Sequence, residues 1–185
     1  MRIRIGQRPD HDFDEPLGLL SDCHRRIEHF LHVLVALERQ AAGGPLTAGQ
    51  RAGLEASLAY FATAAPKHTA DEEESLFPQL KASADAAAAH ALDTVARLER
   101  DHDEADRHHR AVDTLVRRWL AENGLNDGGV GDLREHLDAL ETIYREHIAI
   151  EDRELFPAAS RLLSPSEIRD IGREMAARRA RDRRT

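Results

Sequence analysis

His68-Thr-Ala-Asp-Glu72-Glu-Glu-Ser-Leu-Phe-Pro78 and His147-Ile-Ala-Ile-Glu151-Asp-Arg-Glu-Leu-Phe-Pro157 are two versions of one stretch, 79 residues apart. Both keep a histidine and a glutamate four positions apart, and both end in Leu-Phe-Pro. On a helix, residues so spaced differ by about 40° in azimuth and about 6 Å in rise, so they face the same way. Each version follows an earlier histidine, His24 or His102, at separations of 44 and 45 residues. The chain therefore reads as one helical hairpin used twice, each copy bringing a histidine and a His-x-x-x-Glu pair.

The surrounding sequence supplies the helices. Alanine, leucine, glutamate and arginine dominate, and aromatic residues make up only 4%. This composition favours helix over strand. From Pro16 apolar residues recur at three- and four-residue steps through Leu20, Cys23, Ile27, Phe30, Leu31 and Leu34 until Gly43-Gly44-Pro45. Thr47 is placed to cap a second helix carrying Leu54, Leu58 and Phe61, and Pro66 should kink or split it. A third helix is expected from about Ser83 to Asn123, ended by Gly124 and the cluster Asn126-Asp127-Gly128-Gly129. A fourth is expected from about Gly131 to Pro157. Ser164-Pro165-Ser166-Glu167 combines a cap, a first-turn proline and a capping-box glutamate, opening a short Arg-rich fifth helix.

The expected fold is all-α, an antiparallel up-down-up-down four-helix bundle with a short C-terminal helix. Residues 1–15 read as a polar arm. Residues 16–163 form the bundle, with hairpins 16–80 and 83–157, and residues 164–185 form the C-terminal helix.

Composition narrows the function. At 185 residues the chain suits one domain, and 26 Lys+Arg against 34 Asp+Glu give a formal net charge of −8. This balance argues against nucleic acid as the main partner. Cys23 is the one cysteine, which excludes a disulfide framework or a cysteine zinc ribbon and fits a reducing compartment. No apolar run approaches the ~20 residues that cross a bilayer, and the start lacks a secretory core segment, so a cytoplasmic protein without membrane partner is expected. Imidazole with carboxylate suits iron, manganese or zinc; the site lacks the thiolates preferred by copper(I) and iron–sulfur clusters.

His24, His68-x-x-x-Glu72, His102 and His147-x-x-x-Glu151, with both Leu-Phe-Pro tails, resemble the hemerythrin-like HHE cation-binding domains over about residues 16–163. The resemblance implies that His24, His68, Glu72, His102, His147 and Glu151 hold a non-heme di-iron centre. Glu72 and Glu151 would be its bridging carboxylates. The oxygen-carrying hemerythrins of invertebrates use five histidines, the third helix giving His-x-x-x-His. Here the position four after His102 is Asp106. Under the di-iron reading, each metal would receive about five of a nominal six bonds, bridge included. Open positions on both ions favour reactive chemistry or metal exchange over reversible oxygen carriage. Asp106, or Glu28 four after His24, is available to fill a position, or to serve as a nearby acceptor or a solvated charge.

The other seven histidines read as bystanders. His11 lies in the arm, His90 in an alanine-rich stretch, and His29 and His108 off the ligand azimuth. His109 and His136 share the ligand face two and three turns away, and His32, eight after His24, is a weaker case of the same kind. Cys23 reads as a buried thiol. Tyr144, three before His147, is either a proton donor to the site or a packed core tyrosine. The run from Arg173 to Arg184 is either a docking patch or a solvated helix end. Three functions compete: a redox enzyme or scavenger acting on oxygen, peroxide or nitric oxide; a sensor, carrier or store of oxygen, nitric oxide or iron; and a metal-free structural bundle. The last leaves the repeated pairs unexplained.

Overall fold

The computed structural model describes residues 10–82 and 88–182. The first nine residues of the expected arm, the expected helix start at Ser83, the His90 side chain and Arg184 lie outside the described residues. The elements are α1 (Pro16–Ala41), α2 (Ala48–Thr63), α3 (Ala65–Asp71), a π-turn (Glu72–Leu76) and α4 (Phe77–Ala82). They continue as α5 (Ala88–Glu122), α6 (Asp127–Ile150), a second π-turn (Glu151–Leu155), α7 (Phe156–Leu162) and α8 (Pro165–Asp182). Among the described residues there is no strand.

Helix α1 packs on α2 and α6, α5 packs on α6, and α2 meets α5, closing a ring of four. The second strut of this bundle is composite, made from α2, α3, the first π-turn and α4. The fourth is α6, the second π-turn and α7. This is the all-α bundle expected from the amphipathic stripes, with α8 added against α1, α3 and the first π-turn.

The ends follow local chemistry. Thr47 makes the capping box with Gln50, and Ser164 makes its counterpart with Glu167. The helix breaks at Ala64, so Pro66 falls in the first turn of α3, where its missing N–H costs least. Ala42 and Gly43 adopt left-handed backbone after α1 (φ 45° and 75°). The Gly43 carbonyl accepts from Leu125 N at 2.8 Å, and a Cβ on Gly43 would lie 2.3 Å from Val130.

One boundary differs from the sequence reading. Asn126 does not only end the preceding helix: its side chain accepts from Gly129 N at 2.8 Å and caps α6, which starts at Asp127. Two glycines in a first turn disguise a helix start as a loop.

The π-turns were not visible in helical periodicity. Phe77 N–H reaches back five residues to the Glu72 carbonyl, and Phe156 N–H does the same to Glu151. A proline follows each, and its ring would clash with the carbonyl four before it in a regular helix. Widening the turn relieves that clash, which gives the repeated Leu-Phe-Pro tail a mechanical role.

Buried apolar residues form two clusters, one around Leu20, Phe77, Leu98 and Phe156 and another around Leu34, Leu54, Trp119 and Leu140. Along α1 the order is Leu20, His24, Leu31; along α5 it is Leu98, His102, Ala105. A polar layer therefore lies between two dry cores. Residues 10–15 are not a free arm: Phe13 packs against the first cluster and His11 bonds Asp22. No described helix is long and apolar enough to cross a membrane.

Candidate metal centre

Four struts deliver the polar layer. His24 comes from α1, His68 from α3 with Glu72 at the π-turn, His102 from α5, and His147 from α6 with Glu151 at the second π-turn. Side chains of Glu72 and Glu151 are fully buried, and those of His24, His68 and His147 are at most 5% exposed. His102, at 10%, is the edge nearest solvent.

The six residues fall into two groups of four that share both glutamates: His24, His68, Glu72 and Glu151, and Glu72, His102, His147 and Glu151. Within each group the donor atoms lie within 4.8 Å of one another. Among the described residues no other histidine joins such a group.

The contacts are those of atoms aimed at a common point. His24 Nε2 stands 3.0 Å from Glu151 Oε2, His68 Nε2 3.2 Å from Glu72 Oε1, and His147 Nε2 3.2 Å from Glu151 Oε2. His102 Nε2 is 3.3 Å from Glu72 Oε2 and 3.2 Å from His147 Nε2. Yet His24 Nε2 and all four carboxylate oxygens make no hydrogen bond of acceptable geometry. Buried carboxylates without donors are costly. Donors held about 2.1 Å from a metal lie about 3.0 to 3.4 Å apart in octahedral or tetrahedral arrangements, so these spacings fit a cation.

Charges in the layer agree. Burial opposes protonation of His24, but the hydrogen bond to Asp152 and the nearby Glu151 and Glu72 charges outweigh it, raising its pKa to about 10. The same opposition, decided by Glu72 and Glu73, raises His102 to about 10. Glu151 and Asp101 raise His147 to about 9. Burial and the neighbouring imidazoles push His68 down. Burial and the Glu151 charge raise Glu72 above the usual carboxylate range. For Glu151, burial is overcome by the His147 charge and by the close approach of the His147 and His24 rings, which hold it below the usual range. The two carboxylates demand positive charge at this point, and a bound cation would release the protons the imidazoles otherwise hold.

An outer set of carboxylates escaped the sequence reading. His24 Nδ1 pairs with Asp152 at 3.0 Å and His102 Nδ1 with Glu73 at 2.8 Å. Asp101 stands 3.6 Å from His147 Nδ1, an ion-pair distance rather than a hydrogen bond. Such partners fix ring orientation and leave Nε2 for the metal. Glu73 and Asp152 hold equivalent repeat positions, each receiving a histidine from the opposite hairpin.

The sequence alternatives settle differently. Glu28 is exposed, and Asp106 is exposed and paired with Arg110, so neither enters the centre. On a regular helix the 40° drift between such residues carries the second outward. His109 is paired with Tyr144 Oη at 2.9 Å and packed on Phe61; burial, then the His108 charge, lower its pKa to about 4. Tyr144 belongs to the second apolar cluster. His136 pairs with His108, His32 is exposed, and Cys23 is a buried free thiol. Arg178 and Arg179 are not merely a solvated helix end: both turn inward to Asp71.

A protein from Haemophilus influenzae, itself described as uncharacterized, is 28% identical over 168 residues, covering 90% of this chain and 91% of that protein. The profile of the hemerythrin HHE cation binding domain matches residues 15–159, most of the chain. This match and the buried histidine–glutamate cluster together support binding of a metal cation. The chain belongs to the hemerythrin HHE cation binding domain family.

Proposed function

We propose that this chain holds a bridged pair of iron ions and acts on oxygen, peroxide or nitric oxide, in defence against redox or nitrosative stress. The observation that carries this reading is the pair of four-donor groups sharing Glu72 and Glu151. His24 and His68 would hold one ion, His102 and His147 the other, and the two carboxylates would bridge. Iron bound there would supply one-electron chemistry towards a small diatomic or peroxide ligand; manganese or zinc fits the same donors less purposefully.

The chain's own residues do the rest. Each half of the centre receives two imidazoles, since Asp106 faces Arg110 instead. This equality favours open positions on both sides and hence reactive chemistry over one-sided carriage. Glu73 and Asp152 orient His102 and His24. The apolar clusters above and below exclude water from the layer. The ligand is taken to be small, in the cytoplasm, with neither nucleic acid nor membrane as partner.

A second reading, a sensor, carrier or iron-storage and donor protein without turnover, draws on the partly exposed edge formed by His102 and Glu73. The test is turnover. Iron-loaded protein with a supplied reductant should consume peroxide or nitric oxide over many cycles, and its absorption spectrum should change on reduction and return under air. Spectral change with a single binding equivalent and no turnover favours the second reading. A zinc-only protein with no response to air defeats both.

A further inference from the structure

Aromatic residues are scarce in this chain, yet both of its tyrosines sit in one run of neighbouring rings. From Tyr144 on α6 the ring centroids step 5.7 Å to His109 on α5, then 4.3 Å to Phe61 and 5.3 Å to Tyr60 on α2. Phe30 of α1 stacks on Tyr60 at 4.3 Å, so the run touches all four struts of the bundle. Packing alone needs neither a phenol nor an imidazole in these places.

The run has an inner and an outer end. Tyr144 lies three residues before His147, and the charges of Glu72, Asp106 and Glu151 add to burial in raising its phenol, so it borders the metal layer. Tyr60 lines a cleft of about 360 Å³ between α1, α2, α3 and α8, where Thr63 and Ala64 are exposed. A reductant in water can therefore approach Tyr60 but not the buried glutamates. Tyr144 also has a proton partner. Its Oη stands 2.9 Å from His109 Nε2, and burial, then the His108 charge, keeps that imidazole neutral with a pKa of about 4. The tautomer protonated on Nδ1 offers the Nε2 lone pair to the phenol. A phenol gives up an electron far more readily when a base takes its proton in the same event.

We infer that Tyr144 and His109 form a one-electron relay that carries reducing equivalents from Tyr60 to the metal layer. The relay rests on the iron reading above for its oxidant, peroxide reacting at the layer. In each turn Tyr144 gives one electron to the layer while its Oη proton passes to His109 Nε2, leaving a neutral phenoxyl radical beside an imidazolium. An electron from Tyr60 then refills that radical through Phe61 and His109, and the proton returns to Oη. Tyr60, having lost its own proton to water in the cleft, is restored by one electron from the external reductant and one proton from water. Two turns supply the two electrons that, with two protons from water, convert one hydrogen peroxide to two waters; the reductant loses two electrons.

Freeze-quench electron paramagnetic resonance of the full chain tests this, with iron content measured first and peroxide then mixed in. Native protein should give a tyrosyl signal that narrows when the tyrosines are ring-deuterated. Because the chain has two tyrosines, Tyr144→Phe and Tyr60→Phe each leave a single source. Tyr144→Phe should abolish the early radical; Tyr60→Phe should keep it and lengthen its life in the presence of ascorbate. His109→Gln keeps a partner for the hydroxyl but cannot hold its proton, so radical formation should slow about a hundredfold, the contribution of a positioned base. Helical circular dichroism checks that each variant folds. A second measurement needs no iron: flash-generated tris(bipyridine)ruthenium(III) should oxidise Tyr144 in the metal-free chain, with the same dependence on His109. A Tyr144 radical from the flash but none from peroxide supports the relay and defeats the iron reading instead. No radical at Tyr144 under either oxidant, formation unchanged in His109→Gln, or decay at the native rate in Tyr60→Phe overturns the inference.

Discussion

Glu73 and Asp152 directly follow the two shared glutamates, and each takes the Nδ1 side of a histidine from the opposite hairpin. Both are more than a third exposed, so replacing them leaves the core intact while freeing a ring. Glu73→Ala and Asp152→Ala should each weaken metal retention against a chelator by about tenfold or more, with unchanged helical content. Their role was written in the repeat but not in the helical spacing, because which way they face depends on the π-turn that begins one residue earlier. The six inner residues were legible because two copies of one spacing rarely arise without a shared purpose. Glu28 and Asp106 shared that spacing on unbroken helix and point outward. His109 gives a pH test away from the centre. Its folded pKa of about 4 lies below the unfolded value near 6.5, so the unfolded chain binds the proton first on acidification. Its neutral form therefore supports folding fully above about pH 6.5, and that support is lost as pH falls towards 4, at a cost of about 3 kcal/mol. His109→Gln, which keeps an acceptor for Tyr144, should flatten the fall in unfolding free energy across this window.

Among the elements, α8 shows most clearly what periodicity misses. Its arginines read as surface, yet Arg178 and Arg179 close on Asp71, a fully buried carboxylate one residue before Glu72. Arg178 also reaches Ser75 at 3.1 Å and Glu74 at 3.2 Å, so one side chain braces the whole first π-turn. Removing both cations would strand a buried charge. Arg178→Ala with Arg179→Ala should cost about 3 kcal/mol or more, read as a melting temperature lower by roughly 10 °C. Sequence could not assign these partners, because they are separated by more than a hundred positions and no repeat links α8 to either hairpin. The bundle helices themselves were legible from their stripes, caps and prolines. The start of α6 was not, since Asn126 is equally at home ending one helix or capping the next.

At the scale of the molecule, the bundle is two dry cores with one charged layer between them. Its pseudo-symmetry makes each hairpin incomplete: a hairpin gives two imidazoles and one glutamate, and only their pairing gives both donor groups a second carboxylate. The central claim is thus that two metal positions depend on each other through Glu72 and Glu151. Metal content per folded chain measures this directly, in the native protein and in Glu72→Ala, Glu151→Ala and His68→Ala. The account predicts two iron ions per native chain, loss of both with either glutamate replaced, and loss of chiefly one with His68 replaced. One ion per native chain, or two that persist when a shared glutamate is removed, would contradict it.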